Sequence, residues 1–164
     1  MENKKKKVIT RIGDVFCIQI NDSYKQYFQY IAKDMTQLNS SVIRVFEKKY
    51  PIGGNDSIEN IVQDKVAFYI HTSLRIGIVE GAWYKIGNSK NIGNPDGVMF
   101  RSNIDIGNIP EKSYNWYVWY INAPKIKIGE MNDLYLSVDI GSVYPYKEVI
   151  HRIKTGSSMF KHPK

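Results

Sequence analysis

The stretch RIGDVFCIQINDSYKQYFQYIAK, residues 11–33, decides the fold. From Arg11 to Ile20, the residues Ile12, Asp14, Phe16, Ile18 and Ile20 alternate with Gly13, Val15, Cys17 and Gln19, the period-two pattern of a strand. Asn21, Asp22 and Ser23 follow with turn chemistry, because short polar side chains bond the backbone close by. Tyr24 to Lys33 reads as a second strand. A connection this short makes the pair an antiparallel hairpin.

Working outward, Asn39-Ser40 marks a break, and Ser41 to Lys49 is a third strand. It has Val42, Arg44 and Phe46 on one face, with Ile43, Val45 and Glu47 on the other. Pro51 to Asp56 is a loop. Ser57 is placed to cap a short helix, with Ile58, Ile61 and Val62 at helical spacing and Glu59 in the first turn. Val66 to Leu74 returns to strand, and Trp83 to Ile86, Val98 to Arg101 and Tyr114 to Ile121 add three more. Leu134 to Ile140 alternates most cleanly of all, which puts Leu134, Leu136, Val138 and Ile140 inward. Pro145 opens a final helix striped by Tyr146, Val149, Ile150 and Ile153 and stopped by Gly156. Eight of the 12 glycines directly follow isoleucine, as strand ends meeting turns do. The expected class is α+β and mostly β: a strongly bent antiparallel sheet or small open barrel of about eight strands with two short helices.

A chain of 164 residues fits one domain. The reading is a flexible basic arm over residues 1–10, a globular unit over 11–158, and a frayed tail over 159–164. The formal net charge is +7. Residues 1–11 hold Lys4, Lys5, Lys6, Lys7 and Arg11 against Glu2, so much of the charge is local and the remainder is close to balanced. No run approaches the ~18 apolar residues of a membrane span, and no apolar segment follows the lysines as a secretory signal requires. Cys17 is the single cysteine, which excludes an internal disulfide and points to a reducing cytoplasm.

The chemistry on offer is thin. His71, His151 and His162 make no zinc spacing with Cys17, so neither a metal nor another cofactor is expected. No nucleophile elbow is present, and Cys17 lies in an apolar strand where a thiol behaves as a small hydrophobe. An enzyme would have to be built on His71 with a carboxylate that no motif nominates. The segment Gly87 to Gly97 is glycine-rich but matches no nucleotide fingerprint. It reads as a long exposed loop, and such loops often carry binding function.

The aromatics carry the strongest signal. Tyr114, Trp116, Tyr117, Trp119 and Tyr120 crowd one strand whose two faces are both apolar. Three readings apply: a central buried strand, a partner surface anchored by Trp and Tyr, and base stacking, which wants lysines or arginines that this segment lacks. The candidate partner-facing residues are Trp116, Tyr117 and Trp119, the loop residues Asn88, Lys90, Asn91 and Asp96, and the acidic pair Asp56 and Glu59.

The Lys-rich opening that leads into Ile12-Gly13-Asp14-Val15-Phe16-Cys17-Ile18, with the hairpin strand Tyr27-Phe28-Gln29-Tyr30-Ile31, resembles the immunity protein 26 family of bacterial polymorphic toxin systems. Gly13, Asp14 and Phe16 match that family's Gly-Asp-x-Phe start. The resemblance implies a mostly β, non-catalytic protein, encoded beside a toxin gene, that binds and blocks that toxin inside the cell. Immunity proteins against nucleases are expected to be acidic. This chain is basic, so either Asp56, Glu59 and Asp64 supply a local acidic patch or the toxin is not a nuclease. The competing reading is a small nucleic-acid-binding module with a basic N-terminal arm.

Overall fold

The computed structural model describes residues 7–105 and 109–164. Lys4, Lys5 and Lys6 of the basic arm and the Ile106-Gly107 pair lie outside them. In chain order the elements are β1 (Asp14–Gln19), β2 (Tyr24–Asp34), β3 (Ser40–Phe46), β4 (Tyr50–Pro51), α1 (Ile58–Ile61), β5 (Val66–Thr72), α2 (Leu74–Val79) and β6 (Tyr84–Asn88). A 3-10 turn at Pro95–Gly97 leads to β7 (Met99–Asn103), β8 (Trp116–Tyr120), β9 (Ile126–Gly129), β10 (Asp139–Ile140), β11 (Val143–Tyr144) and α3 (Tyr146–Thr155).

Among the described residues the strands form two sheets. The large one runs β11-β5-β3-β2-β1-β6 with β4 on the end of β2, and the small one runs β10-β7-β8-β9. The mostly β class stands. In place of one strongly bent sheet or small barrel of about eight strands there is a central sheet with a second sheet packed on it, and there are three helices rather than two. The hairpin read from residues 11–33 is the β1–β2 pair, with Phe16 opposite Phe28.

Alternation along the central strands divides the core. One face carries Phe16, Ile18, Phe28, Tyr30, Ile43, Val45, Phe68 and Ile70, which pack under α2 and α3 with Trp83 and Val149. Phe16 stacks on Phe28 with ring centres 5.1 Å apart, and Trp83 meets Phe28 edge-on at 5.1 Å. The opposite face is covered in two places. Val15, Cys17, Tyr27 and Phe46 pack under α1. Ile31, Ala32 and Val42 pack against Val98, Phe100, Trp119 and Ile121 of the small sheet.

The two sheets are joined by a buried carboxylate. Asp34, at the end of β2, is 0% exposed. Its Oδ2 accepts from His71 Nε2 on β5 at 2.9 Å and from Trp119 Nε1 on β8 at 3.0 Å. Its Oδ1 accepts from the Asn122 amide at 3.2 Å. Burial opposes ionisation of Asp34, but the hydrogen bonds from Trp119, His71 and Asn122 outweigh it and hold the carboxyl below its ordinary 3.8. Burial pulls His71 below its ordinary 6.5 against the attraction of Asp34. The pair is therefore a carboxylate with a neutral imidazole donating from Nε2.

Several expectations are corrected. Leu134 to Ile140 is not a strand throughout: Leu134 is 80% exposed and Leu136 56%, and only Asp139–Ile140 enters the sheet. Asn132 is the cause. Its side-chain oxygen accepts the Leu134 amide and its carbonyl accepts the Tyr135 amide, so the donors a ladder needs are spent on turns. The strand expected over Val66 to Leu74 ends at Thr72, and α2 begins at Leu74. Tertiary packing decides this: the Leu74 carbonyl accepts Trp83 Nε1 at 3.1 Å. The tail expected to fray from 159 onward docks instead. The Lys164 backbone bonds Glu111 and Ser113, and Phe160 packs on Tyr144 at 5.3 Å.

Asp34→Ala leaves the His71 and Trp119 N–H groups buried without acceptors, and should cost on the order of 3 kcal/mol by urea denaturation. The linkage sign follows from the two lowered pKa values. The unfolded chain binds a proton on His71 before the folded one does, so stability falls as pH drops below about 6.5, and Asp34 adds a further loss below its ordinary 3.8. His162, also lowered, titrates in the same window, so wild type must be compared with His71→Gln. The variant should have the shallower slope of stability between about pH 6.5 and 4.

Candidate partner-binding face

Gly13 and Asp14 begin a chain of polar contacts that crosses the central sheet. Gly13 has φ +98°, and a Cβ there would stand 2.5 Å from the Ser89 carbonyl, so glycine is required on both counts. Asp14 is fully buried. Its Oδ2 accepts the Arg11 amide at 2.8 Å, and its Oδ1 accepts Asn88 Nδ2 at 2.9 Å and Lys85 Nζ at 2.8 Å. The Gly-Asp-x-Phe start thus builds the fold: Asp14 ties β1 to β6, and Phe16 fills the core.

Opposite Val15 in the register stands Gln29, and opposite Gln29 stands Arg44. Gln29 Nε2 donates to the Gly13 and Ser89 carbonyls at 3.1 and 3.2 Å. Its Oε1 accepts Arg44 Nε at 3.0 Å. Arg44 Nη2 then donates to the Val62 carbonyl at 3.1 Å and the Asn91 carbonyl at 2.9 Å. Val62 caps the C-terminal end of α1, and Asn91 lies in the loop after β6. Arg44 is only 6% exposed, and burial holds its pKa below the usual guanidinium range. A buried cation is costly unless its donors are used, and here main-chain carbonyls receive them.

The consequence is a face made of α1 and the loop 88–97. The two meet at a second close approach, where a Cβ on Gly87 would lie 2.3 Å from Ile58 Cδ1. The loop itself is held by local bonds, from the Asn91 amide to Ser89 Oγ at 3.1 Å and from the Gly93 amide to Asn91 Oδ1 at 3.3 Å. The helix start matches its reading: Ser57 Oγ accepts the Asn60 amide at 3.2 Å.

The sequence candidates separate on this geometry. The segments that carry Asp56 and Glu59 and those that carry Asn88, Lys90 and Asn91 meet through Arg44 and at Ile58–Gly87, although some thirty residues divide them in the chain. Asn88 and Asn91 also serve as scaffold. Asp56 is half-buried and accepts the Tyr27 hydroxyl at 2.7 Å, with Lys25 Nζ at 3.4 Å. Burial and this carboxylate both push the Tyr27 phenol up. Asp64 accepts the Tyr50 hydroxyl at 2.5 Å. Glu59, Lys90 and Asp96 are exposed.

Trp116 and Trp119 are 0% exposed, and Tyr117 is half-buried. The tryptophans are buried. Trp119 faces the central sheet, and Trp116 lies under Arg101, whose guanidinium is 5.3 Å from its ring centre. Their burial takes both tryptophans out of the stacking reading and leaves only Tyr114 and Tyr120 of that strand exposed. His71 does find a carboxylate, Asp34, but both are sealed at 0% exposure, and burial pushes the Cys17 thiol up, away from the reactive thiolate. Among the described residues no group of three or more His, Cys, Asp or Glu side chains could hold a metal, and no helix is long and apolar enough to cross a membrane.

Gln29 and Arg44 are not among the candidate residues that the sequence nominates. The signal was present in the alternation of β3, where Arg44 sits between Val42 and Phe46 on a face that is otherwise buried.

Over residues 11–107 the chain matches the family model described as immunity protein 26. It belongs to that family. The matched segment contains β1 to β7, α1, α2 and the whole of the face just described, and it ends before the aromatic strand. No curated protein and no solved structure matches the chain.

Arg44→Met removes three donated hydrogen bonds and leaves the Val62 and Asn91 carbonyls without their donor. It should cost roughly 2–3 kcal/mol and accelerate amide hydrogen exchange across residues 88–97 while leaving β5 protected. Unchanged exchange in that loop would separate Arg44 from the loop's order.

Proposed function

We propose that the protein is a non-catalytic immunity protein that binds a cognate toxin domain, encoded by a neighbouring gene, and blocks it inside the cell. The contact is the face built by α1 and the loop 88–97. The observation that carries this reading is the convergence of two exposed, differently charged segments on one rigid surface within the family-matched part of the chain.

Rigidity matters because association loses free energy to every loop that must be ordered on binding. The network from Asp14 through Gln29 to Arg44 fixes loop and helix in the free protein. Asp56 and Asp64 are engaged with tyrosine hydroxyls, so the charges left for a partner are those of Glu59, Lys90 and Asp96. Complementary charges at such positions steer encounter and fix register. A face of mixed sign asks for a partner patch of mixed sign, which relieves the tension between a basic chain and an acidic-inhibitor model.

Titration calorimetry with the toxin domain encoded immediately upstream tests this. Tight one-to-one binding is expected for the wild type. Glu59→Lys and Lys90→Glu should each weaken it about tenfold, ~1.4 kcal/mol, without moving the thermal midpoint. Tyr120→Ala, at an exposed position on β8, should bind as wild type. The reverse pattern, with both charge reversals silent and Tyr120→Ala defective, would move the contact to the small sheet.

A further inference from the structure

A second feature lies away from α1 and the loop. Where β7 and β10 of the small sheet meet the end of α3 and the C-terminal tail, the chain forms an open cavity of about 260 Å³. Arg101, Asp139, Tyr144, Arg152, Ser158 and His162 are in its wall.

The charges there do not cancel. Asp139 is fully engaged: Oδ1 pairs with Arg152 Nη2, and Oδ2 accepts the Tyr69 amide at 2.9 Å. Glu148, the other buried carboxylate nearby, does not line the cavity and accepts the Met159 amide at 3.1 Å. Arg101 has no carboxylate bonded to it among the described residues; Asp139 is close enough to bear on its charge, but its oxygens are bonded to Arg152 and the Tyr69 amide. Its Nε donates to the Val138 carbonyl at 2.8 Å, and its guanidinium lies over the Trp116 ring. The terminal N–H groups of a guanidinium suit a planar, two-oxygen acceptor.

Two further groups complete the wall. The Tyr144 hydroxyl and His162 Nε2 are 3.1 Å apart. Desolvation first, and the Arg101 cation second, hold His162 below its ordinary 6.5. Burial raises the Tyr144 phenol to about 12. Both therefore stand as neutral hydrogen-bonding groups beside the Arg101 cation.

We propose that this cavity is a binding site for a small oxyanion, a carboxylate or phosphate group held by Arg101 with Tyr144 and His162 at its side. This assignment is independent of the toxin-binding reading. It draws on other residues and holds whether or not that reading does.

The test is an NMR titration of the full-length protein with sodium phosphate and, separately, sodium acetate, against sodium chloride at matched ionic strength. Amides of Arg101, Gly156 and Ser158 report. Saturable shifts at millimolar anion are expected, at least tenfold weaker in Arg101→Gln and unchanged in Arg75→Gln, which removes an exposed arginine on α2. Saturation by phosphate alone assigns the site to phosphate groups, and saturation by acetate alone to carboxylates. Shifts that chloride reproduces, or equal affinity in Arg101→Gln, overturn the proposal. Should Arg101→Gln lose its folded spectrum, His162→Gln takes its place, with at least threefold weakening expected and an unchanged affinity counting against the site.

Discussion

Arg44 is a cation sunk into the face of a sheet with no carboxylate bonded to it among the described residues, and its position dictates how that face is covered. Its hydrogen bonds go to one side chain, Gln29, and to two main-chain carbonyls from separate segments, Val62 and Asn91. Leaving such a group without acceptors would cost several kcal/mol. The end of α1 and the loop after β6 must therefore both come to it. Gln29 extends the constraint to Gly13 and Ser89, and Asp14 extends it to Asn88 and Lys85. One buried guanidinium thus organises the exposed surface above it, although it contributes little to that surface itself.

The same face of the central sheet meets a second buried charge at its other end. Asp34 gathers donors from β5, from β8 and from the turn at Asn122, and so fixes the small sheet against the large one. Between these polar joints lie two apolar clusters, one under α1 and one under Trp119. Apolar area supplies most of the driving force for folding. The polar groups discriminate among packings, since an arrangement that left Arg44 or Asp34 without its partners would cost several kcal/mol. Acid should loosen the Asp34 joint, while the Arg44 joint keeps its charge at any physiological pH.

Much of this architecture is legible in the sequence wherever alternation and burial agree. The hairpin of residues 11–33, the third strand, the Ser57 cap and the Pro145–Gly156 helix all follow local rules that tertiary contacts reinforce. Where local chemistry and periodicity conflict, periodicity misleads. Leu134 and Leu136 alternate well but lie after Asn132, whose side chain takes the ladder's donors. The aromatic strand is ambiguous for a different reason. Tryptophan suits a core and an interface equally, and only the second sheet, which no local pattern announces, decides for the core. Arg44 shows the opposite case. An arginine centred in an apolar stripe announces a buried charge, but the carbonyls that receive it lie 18 and 47 residues away and cannot be named from one sequence.

For the candidate site, the separate patches around Asp56–Glu59 and Asn88–Asp96 are visible in the chain, and their union is not. Membership of the immunity protein 26 family implies a toxin partner, and under the proposed function the Arg44 network gives a reason for this face to be ordered before that partner arrives. The most direct measurement is hydrogen–deuterium exchange on the protein alone and in complex with the toxin domain encoded beside it. New protection confined to residues 57–63 and 88–97 is the predicted result. Protection that falls instead on β8, β9 or α3, with α1 and the loop unchanged in a saturated complex, would contradict it.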